Sequence, residues 1–271
     1  MDRAAARESE LTSLLTQLRS NPDSSAVLCD VDGTLAPIVD DPHAAAVPAR
    51  TRGLLERIVN RYALVGCLTG RPAEVARAMV GVDGMVYAGN HGFEVLEPGA
   101  AEPVPDPAVA KRARAAAEFV ATLDSAWVSS AGLRIEKKGP IEALHWRGAE
   151  REAPAELRAK EIATLAQRAG LVPRWGRKVL ELRPIAGIDK GSAALALLRR
   201  AGLRHALFGG DDLTDLDAFQ ALRWMQGSGR LESAVCLGVA SDEEPEALRG
   251  TADAMVDGPD GFADVLAELA H

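Results

Sequence analysis

Short apolar runs alternate with amphipathic stretches along most of this chain, and that alternation is what most restricts its fold. The run 25–31 and the run Ala63-Leu-Val-Gly-Cys-Leu68 each lead into helix-like periodicity, near 48–60 and from Pro72. After residue 185 the pattern resumes with a helix over 190–201, the strand Ala206-Leu-Phe-Gly209 and a helix over 214–223. Strands near 234–239 and 253–257 and a helix over 262–270 close the chain. Strands this apolar have no wet face, so helices must cover both sides, which right-handed strand-helix-strand crossovers achieve. The expected fold is α/β, a doubly wound parallel sheet of the Rossmann-like type with its functional loops at the carboxyl ends of the strands.

The texture breaks at Glu97-Pro-Gly-Ala-Ala-Glu-Pro-Val-Pro-Asp-Pro107, too rich in proline for a central strand. Beyond it lie an alanine-rich helix to about 124, two strands around Gly139-Pro140, a helix over 154–169 and two strands around Gly176. That order, αββαββ, suits a small sheet with helices on one side. Residues 104–184 are therefore expected to form an inserted smaller α/β domain, within a core made of 1–103 and 185–271. Residues 1–20 read as an additional helix with no chemistry attached.

Charge follows the same division. The whole chain carries a net −8, which argues against nucleic acid as a partner. Residues 104–184 hold 15 Lys and Arg against 10 Asp and Glu, or +5, leaving 16 against 29, or −13, elsewhere. A basic insert beside an acidic remainder suits an anionic substrate closed between the two, although solvated helix faces would read the same way. At 47% hydrophobic and 26% charged, the composition is that of a soluble globular protein. Neither a leader-like segment nor a run approaching the ~20 apolar residues of a membrane span appears, so no membrane partner and a cytoplasmic location are expected. Cys29, Cys67 and Cys236 sit within apolar runs without metal-ligand spacing and read as reduced core residues. Oligomeric state is not legible.

Four strand ends carry candidate chemistry. In Asp30-Val-Asp32-Gly33-Thr34, alternate side chains share a face if the strand continues, so both carboxylates could converge on a cation such as Mg²⁺, or simply form a turn. Leu68-Thr69-Gly-Arg-Pro72 offers a hydroxyl and a helix N-terminus, an anion site or an ordinary strand-to-helix turn. Lys190 opens a helix, where a cation opposes the dipole; a bound phosphate would explain it, as would plain surface exposure. Gly210-Asp211-Asp212-Leu-Thr-Asp215 crowds three carboxylates after a strand, which repel one another without a cation or donors, unless the turn is merely solvated.

These residues, in this order, resemble the four motifs of the haloacid dehalogenase superfamily of phosphohydrolases, over residues 26 to about 260. Thr34-Leu-Ala-Pro-Ile, Ala88-Gly-Asn-His91-Gly, Glu136-Lys-Lys138, Leu144-His-Trp-Arg147, Lys178-Val-Leu-Glu181-Leu-Arg-Pro184 and Gly210-Asp-Asp-Leu-Thr-Asp-Leu-Asp-Ala-Phe219 further resemble the trehalose-6-phosphate phosphatase family. The resemblance implies a catalytic core, an inserted cap and a phosphoaspartyl intermediate in a sugar-phosphate hydrolase. By it Asp30 is the nucleophile and Asp32 the proton shuttle, while Thr69 and Lys190 bind the phosphoryl group. Mg²⁺ is then held by Asp30, Asp32 through its backbone carbonyl, and Asp211, with Asp215 and Asp212 supporting. Glu136, Lys138 and Glu181 match positions that bind the sugar, joined by Arg183 and Asn90. Glu136, Lys138 and Glu181 argue against the nearest rivals, phosphatases for other sugar phosphates or for glycosyl phosphoglycerates, and the intact acids against a silent binding module. His91 and His145 fit structural roles as readily as substrate contact, and Trp127, Trp146 and Trp175 are expected to fill the insert's core. Leu213 and Leu216 depart from the family pattern, which often has a basic residue at the first position and usually an acid at the second.

Overall fold

The structure, a computed structural model, describes residues 3–39, 44–185, 187–241 and 245–271, with side chains from residue 11 onward. The chain divides into two compact units, Met1–Val104 with Asp189–His271, and Pro105–Ile188.

In the first unit the strands are β1 (Ser25–Cys29), β2 (Leu64–Leu68), β3 (Val86–Gly89), β4 (Glu94–Leu96) and β5 (Val104–Pro105). The strands of the insert, β6 (Arg134–Lys138), β7 (Ile141–His145), β8 (Val172–Gly176) and β9 (Val179–Arg183), come next in the chain. The first unit is completed by β10 (His205–Gly210), β11 (Ser233–Ala240) and β12 (Ala254–Asp257). Its eight strands are ordered β12-β11-β10-β1-β2-β3-β4-β5, parallel from β12 to β3, with β4 antiparallel to β3. This is the doubly wound α/β sheet that the alternation predicts. Strand alternation sorts the core into two layers. Val27, Cys29, Cys67 and Leu207 face the helices Ala49–Val59 and Gly258–Leu269, while Ala26, Leu28 and Phe208 face Lys190–Ala201 and Asp215–Gly227. The N-terminal helix, Arg3–Ser20, buries Leu15 and Leu18 in the first layer, so its role here is to cover the sheet; residues 1 and 2 lie outside those described. The three cysteines are free and buried, as expected. No helix among the described residues is long and apolar enough to cross a membrane.

Strands β1 to β3 run outward on one side of β1, and β10 to β12 on the other. The order reverses between β1 and β10, and a crevice opens at the carboxyl ends of strands at such a reversal. Asp30 and Asp211 stand at those two ends.

In the second unit β6-β7-β9-β8 form an antiparallel sheet packed on the helix Glu152–Arg168 through Ala155, Ala159 and Ile162 against Leu144, Leu180 and Leu182. The single alanine-rich helix expected before it is three short ones, Pro107–Ala110, Ala115–Ala121 and Ser125–Ser129. Asp106 starts the first and Asp124 the third by accepting backbone N–H bonds, while the second starts after Arg114 without a side-chain cap.

Candidate active site

The site grows from the end of β1. The ladder reaches Asp30, whose N–H donates to the Gly209 carbonyl at 2.9 Å, and then the chain turns. Gly33 takes a left-handed conformation (φ 80°), and a Cβ there would fall 2.2 Å from an Asp211 carboxylate oxygen, so only glycine lets this turn lie against that acid. Because the strand stops at Cys29, Asp32 does not share a face with Asp30 as alternation would have it. The Asp32 carboxylate instead accepts two bonds from Arg71, from Nε at 2.7 Å and Nη2 at 2.6 Å.

Asp30, Asp211 and Asp215 form the acidic cluster, all buried, with one carboxylate oxygen from each within 4.8 Å of the others. Lys190 reaches into it and donates to Asp30 Oδ2 at 2.9 Å and Asp215 Oδ1 at 2.7 Å. Its residue sits where alternation aims Asp30, because its helix covers the β1 face that carries Leu28. Two alternatives left open by the sequence are thereby closed, since Lys190 is only 2% exposed and the acids are not a solvated turn. Burial acts to lower the Lys190 pKa, but Asp215 and Asp30 outweigh it and hold the ammonium above its usual range. Asp30 is pushed well above the carboxylate range by burial, against the pull of Lys190 and with the repulsion of Asp215 and Asp211.

The second Asp215 oxygen accepts the N–H groups of Asp211 and Asp212, each at 2.9 Å. Both its oxygens are thus committed, which makes Asp215 a brace for the loop rather than an open ligand. Asp30 Oδ1, by contrast, is buried with no hydrogen-bond partner. A hard-oxygen set holding more negative charge than one lysine offsets, with such an oxygen exposed to the cluster, fits a small divalent cation.

Thr69 is buried at the end of β2, its hydroxyl accepting the Arg71 N–H at 3.2 Å. At the helix beyond, Pro72 is the N-cap and the Glu94 carboxylate takes the Ala73 N–H at 2.8 Å, so an anion there would share this end with a carboxylate. Asn90 lies in this unit and not among the other sugar candidates. Its N–H donates to the Arg71 carbonyl and the His91 N–H to the Thr69 carbonyl, both at 2.8 Å, with both residues left-handed (φ 49° and 59°). Asn90 Oδ1 is buried without a hydrogen-bond partner, and the strained backbone is held by these bonds. Arg71 and Thr34, whose buried hydroxyl lacks a hydrogen-bond partner, received no role in the sequence reading; their place inside the Thr-Gly-Arg and Asp-Gly-Thr strings was the available signal. Leu213 is exposed, with its N–H donating to Asp212 Oδ1 at 2.7 Å, and Leu216 packs against the Phe208–Phe219 layer.

The remaining candidates share one face of the insert's sheet. Register aligns Glu136 with Ala143 and Ala143 with Glu181, and period-two alternation adds Lys138 and Arg183. Glu181 Oε2 accepts Arg183 Nε at 3.1 Å and Nη2 at 2.7 Å, while Lys138 Nζ donates to Oε1 at 3.3 Å. Glu136 lies 2.7 Å from His145 Nε2, and chiefly that bond draws its carboxyl below the usual range. Trp146 is core, and Trp127 stacks under Arg158 at 4.1 Å, but Trp175 is 39% exposed and does not fill the interior.

Residues 28–247 match the family model described as trehalose-phosphatase. Over 203 residues, 73% of this chain and 51% of its relative, the sequence is 37% identical to a trehalose-phosphate phosphatase of Mycobacterium avium (strain 104). The chain spans about half the length of several curated relatives it matches. Among solved structures, the C. albicans trehalose-6-phosphate phosphatase C-terminal domain superposes with a TM-score of 0.77 at 22% identity, covering 96% of each chain. A trehalose-6-phosphate phosphatase related protein gives 0.67 at 25% identity, over 90% of this chain and 96% of the other. A haloacid dehalogenase-like hydrolase from Bacteroides thetaiotaomicron gives 0.60 at 16% identity, over 90% and 99%. With a sheet reversal that gathers Asp30, Lys190, Asp211 and Asp215, and a family match spanning both units, this chain belongs to the trehalose-phosphatase family.

Proposed function

We propose that the chain hydrolyses trehalose 6-phosphate to trehalose and inorganic phosphate through a phosphoaspartyl intermediate on Asp30. The observation that carries this reading is the buried Asp30–Lys190–Asp215 array, a carboxylate nucleophile fixed by a cation that is itself fixed. In the first step an Asp30 oxygen attacks phosphorus, the P–O bond to the sugar breaks, and Asp32 gives a proton to the departing sugar oxygen. In the second, Asp32 takes a proton from water, the water oxygen attacks phosphorus, and the bond to Asp30 breaks to release phosphate. Lys190 and the Thr69 hydroxyl hold the phosphoryl oxygens, where positioning and charge neutralisation do most of the catalysis. Arg71 keeps Asp32 in one orientation for both transfers. Asp30, Asp211 and the Asp32 backbone carbonyl would hold Mg²⁺, which when bound offsets charge on the transferring group. Glu136, Lys138, Glu181 and Arg183 bond the sugar hydroxyls, and a sugar lacking those hydroxyls would forgo those bonds.

Phosphate release across a panel of sugar phosphates tests this. Trehalose 6-phosphate should exceed glucose 6-phosphate in kcat/KM by roughly 100-fold or more, and a chelator should abolish release until Mg²⁺ is restored. Equal rates on the two sugars would overturn the substrate, and turnover untouched by chelator would overturn the metal.

A further inference from the structure

The insert contains a cleft of about 490 Å³ that the proposed reaction does not use, bordered by Trp146, Trp175, Glu152, Glu156 and Lys178. That volume lies within the ~300–1,000 Å³ of small-molecule sites. Register places the cleft apart from the sugar-facing residues, for Trp175 pairs with Leu180 on the helix-packed face while Arg174 and Glu181 pair on the other. We propose that this cleft is a second binding site, for a neutral pyranoside, with the sugar's C–H face on Trp175 and its hydroxyls on Glu152, Glu156 and Lys178.

Two observations select that ligand class, and a third fixes the site. The first is the indole pair: Trp146 is buried and meets Trp175 edge-on at 6.0 Å and 71°, which holds the exposed ring of Trp175 as a rigid apolar wall. A pyranose offers such a wall one face of C–H groups and keeps its hydroxyls at the rim.

The second is charge. Lys178 Nζ lies 3.1 and 2.9 Å from the two Glu152 oxygens, and Glu156 pairs with Lys160 at 2.6 Å. Each acid is already offset, so a cation would meet two ammonium groups and an anion two carboxylates. A polyol, which both donates and accepts, suits paired acids and ammoniums together.

The third is backbone. Lys178 is left-handed at φ 55°, a conformation that a side chain other than glycine adopts at a cost of about 1 kcal/mol or more. The hairpin holds it there, with the Lys178 carbonyl accepting the Trp146 N–H at 3.0 Å. The strained residue thus links the indole wall to the Glu152 carboxylate.

The test uses the full chain labelled with ¹⁵N at its indoles, the four signals assigned by single Trp→Phe variants, and methyl α-D-glucopyranoside as the probe. The Trp146 and Trp175 indole N–H signals should move saturably in the millimolar range while Trp224 stays still. Glu156→Gln should weaken the response roughly tenfold, the worth of one good hydrogen bond, and Glu181→Gln should leave it unchanged. Absence of any shift at about 0.2 M sugar, far above millimolar affinity, overturns the proposal. So does equal movement of Trp224, affinity indifferent to Glu156→Gln, or loss of the shift in Glu181→Gln. The same saturable shift with tetramethylammonium would identify a cation site and equally overturn it. None of these readouts depends on phosphate release, so failure here and failure of the phosphatase reading are separable.

Discussion

The acids of the core and the acids of the insert are both paired with cations, yet they are held in different ways. Around Asp30 every brace is buried and comes from a strand end, a helix or a backbone amide: Lys190 from its helix, Asp215 through the N–H groups of Asp211 and Asp212. Around Glu181 the partners come from the same sheet, Arg183 two residues along and Lys138 two strands away, while Glu136 is half-exposed beside His145. The first arrangement is rigid and intolerant, which suits the chemistry on phosphorus proposed for it; the second can trade one partner for a hydroxyl, which suits the proposed sugar recognition.

Substitutions can break or sharpen that contrast. Lys190→Met should have the largest effect, cutting kcat at least ~10³-fold and, by leaving Asp30 and Asp215 buried without their cation, costing about 3 kcal/mol in denaturant unfolding. Asp215→Asn, which turns an amide toward Lys190 in place of a carboxylate, should lower kcat about 100-fold at little change in KM. Glu181→Gln is expected to do the reverse, raising KM for trehalose 6-phosphate roughly tenfold with kcat nearly intact; a kcat effect as large as that of Asp215→Asn would erase the division of labour.

The smallest effect belongs to Glu142, which is buried on the apolar face of the insert, opposite Lys137 and Leu182, with Oε2 lacking a hydrogen-bond partner. Burial holds its carboxyl above the usual range, against the pull of Lys137. The folded chain therefore binds this proton more readily than the unfolded chain, and the acid costs stability at neutral pH but not below the unfolded-state pKa. Glu142→Met should stabilise by about 1 kcal/mol at pH 7, with the gain in Tm shrinking as the pH falls toward 4.

The core was readable because its strands are buried on both faces and write themselves as apolar runs, and because each motif falls at a strand end. Less legible were features set by partners distant in sequence. Alternation alone would set the Asp32 side chain by that of Asp30, but what fixes its carboxylate is the turn at Gly33 and the reach of Arg71. The helix after Pro72 gives no sign in sequence that Glu94, twenty-one residues beyond Ala73, takes its first N–H. Asn90 groups by polarity with the candidates of the insert, and β3 sets it in the loop beside Thr69. In the insert, the alanine run reads as one helix because propensity alone does not reveal the break between Ala110 and Ala115.

The nucleophile is the claim on which the rest depends, and Asp30→Asn tests it most directly. With Mg²⁺ and trehalose 6-phosphate, the variant should release inorganic phosphate at least ~10³-fold more slowly than the parent, since an amide in place of the carboxylate cannot form the covalent intermediate. Release within about tenfold of the parent rate would contradict it.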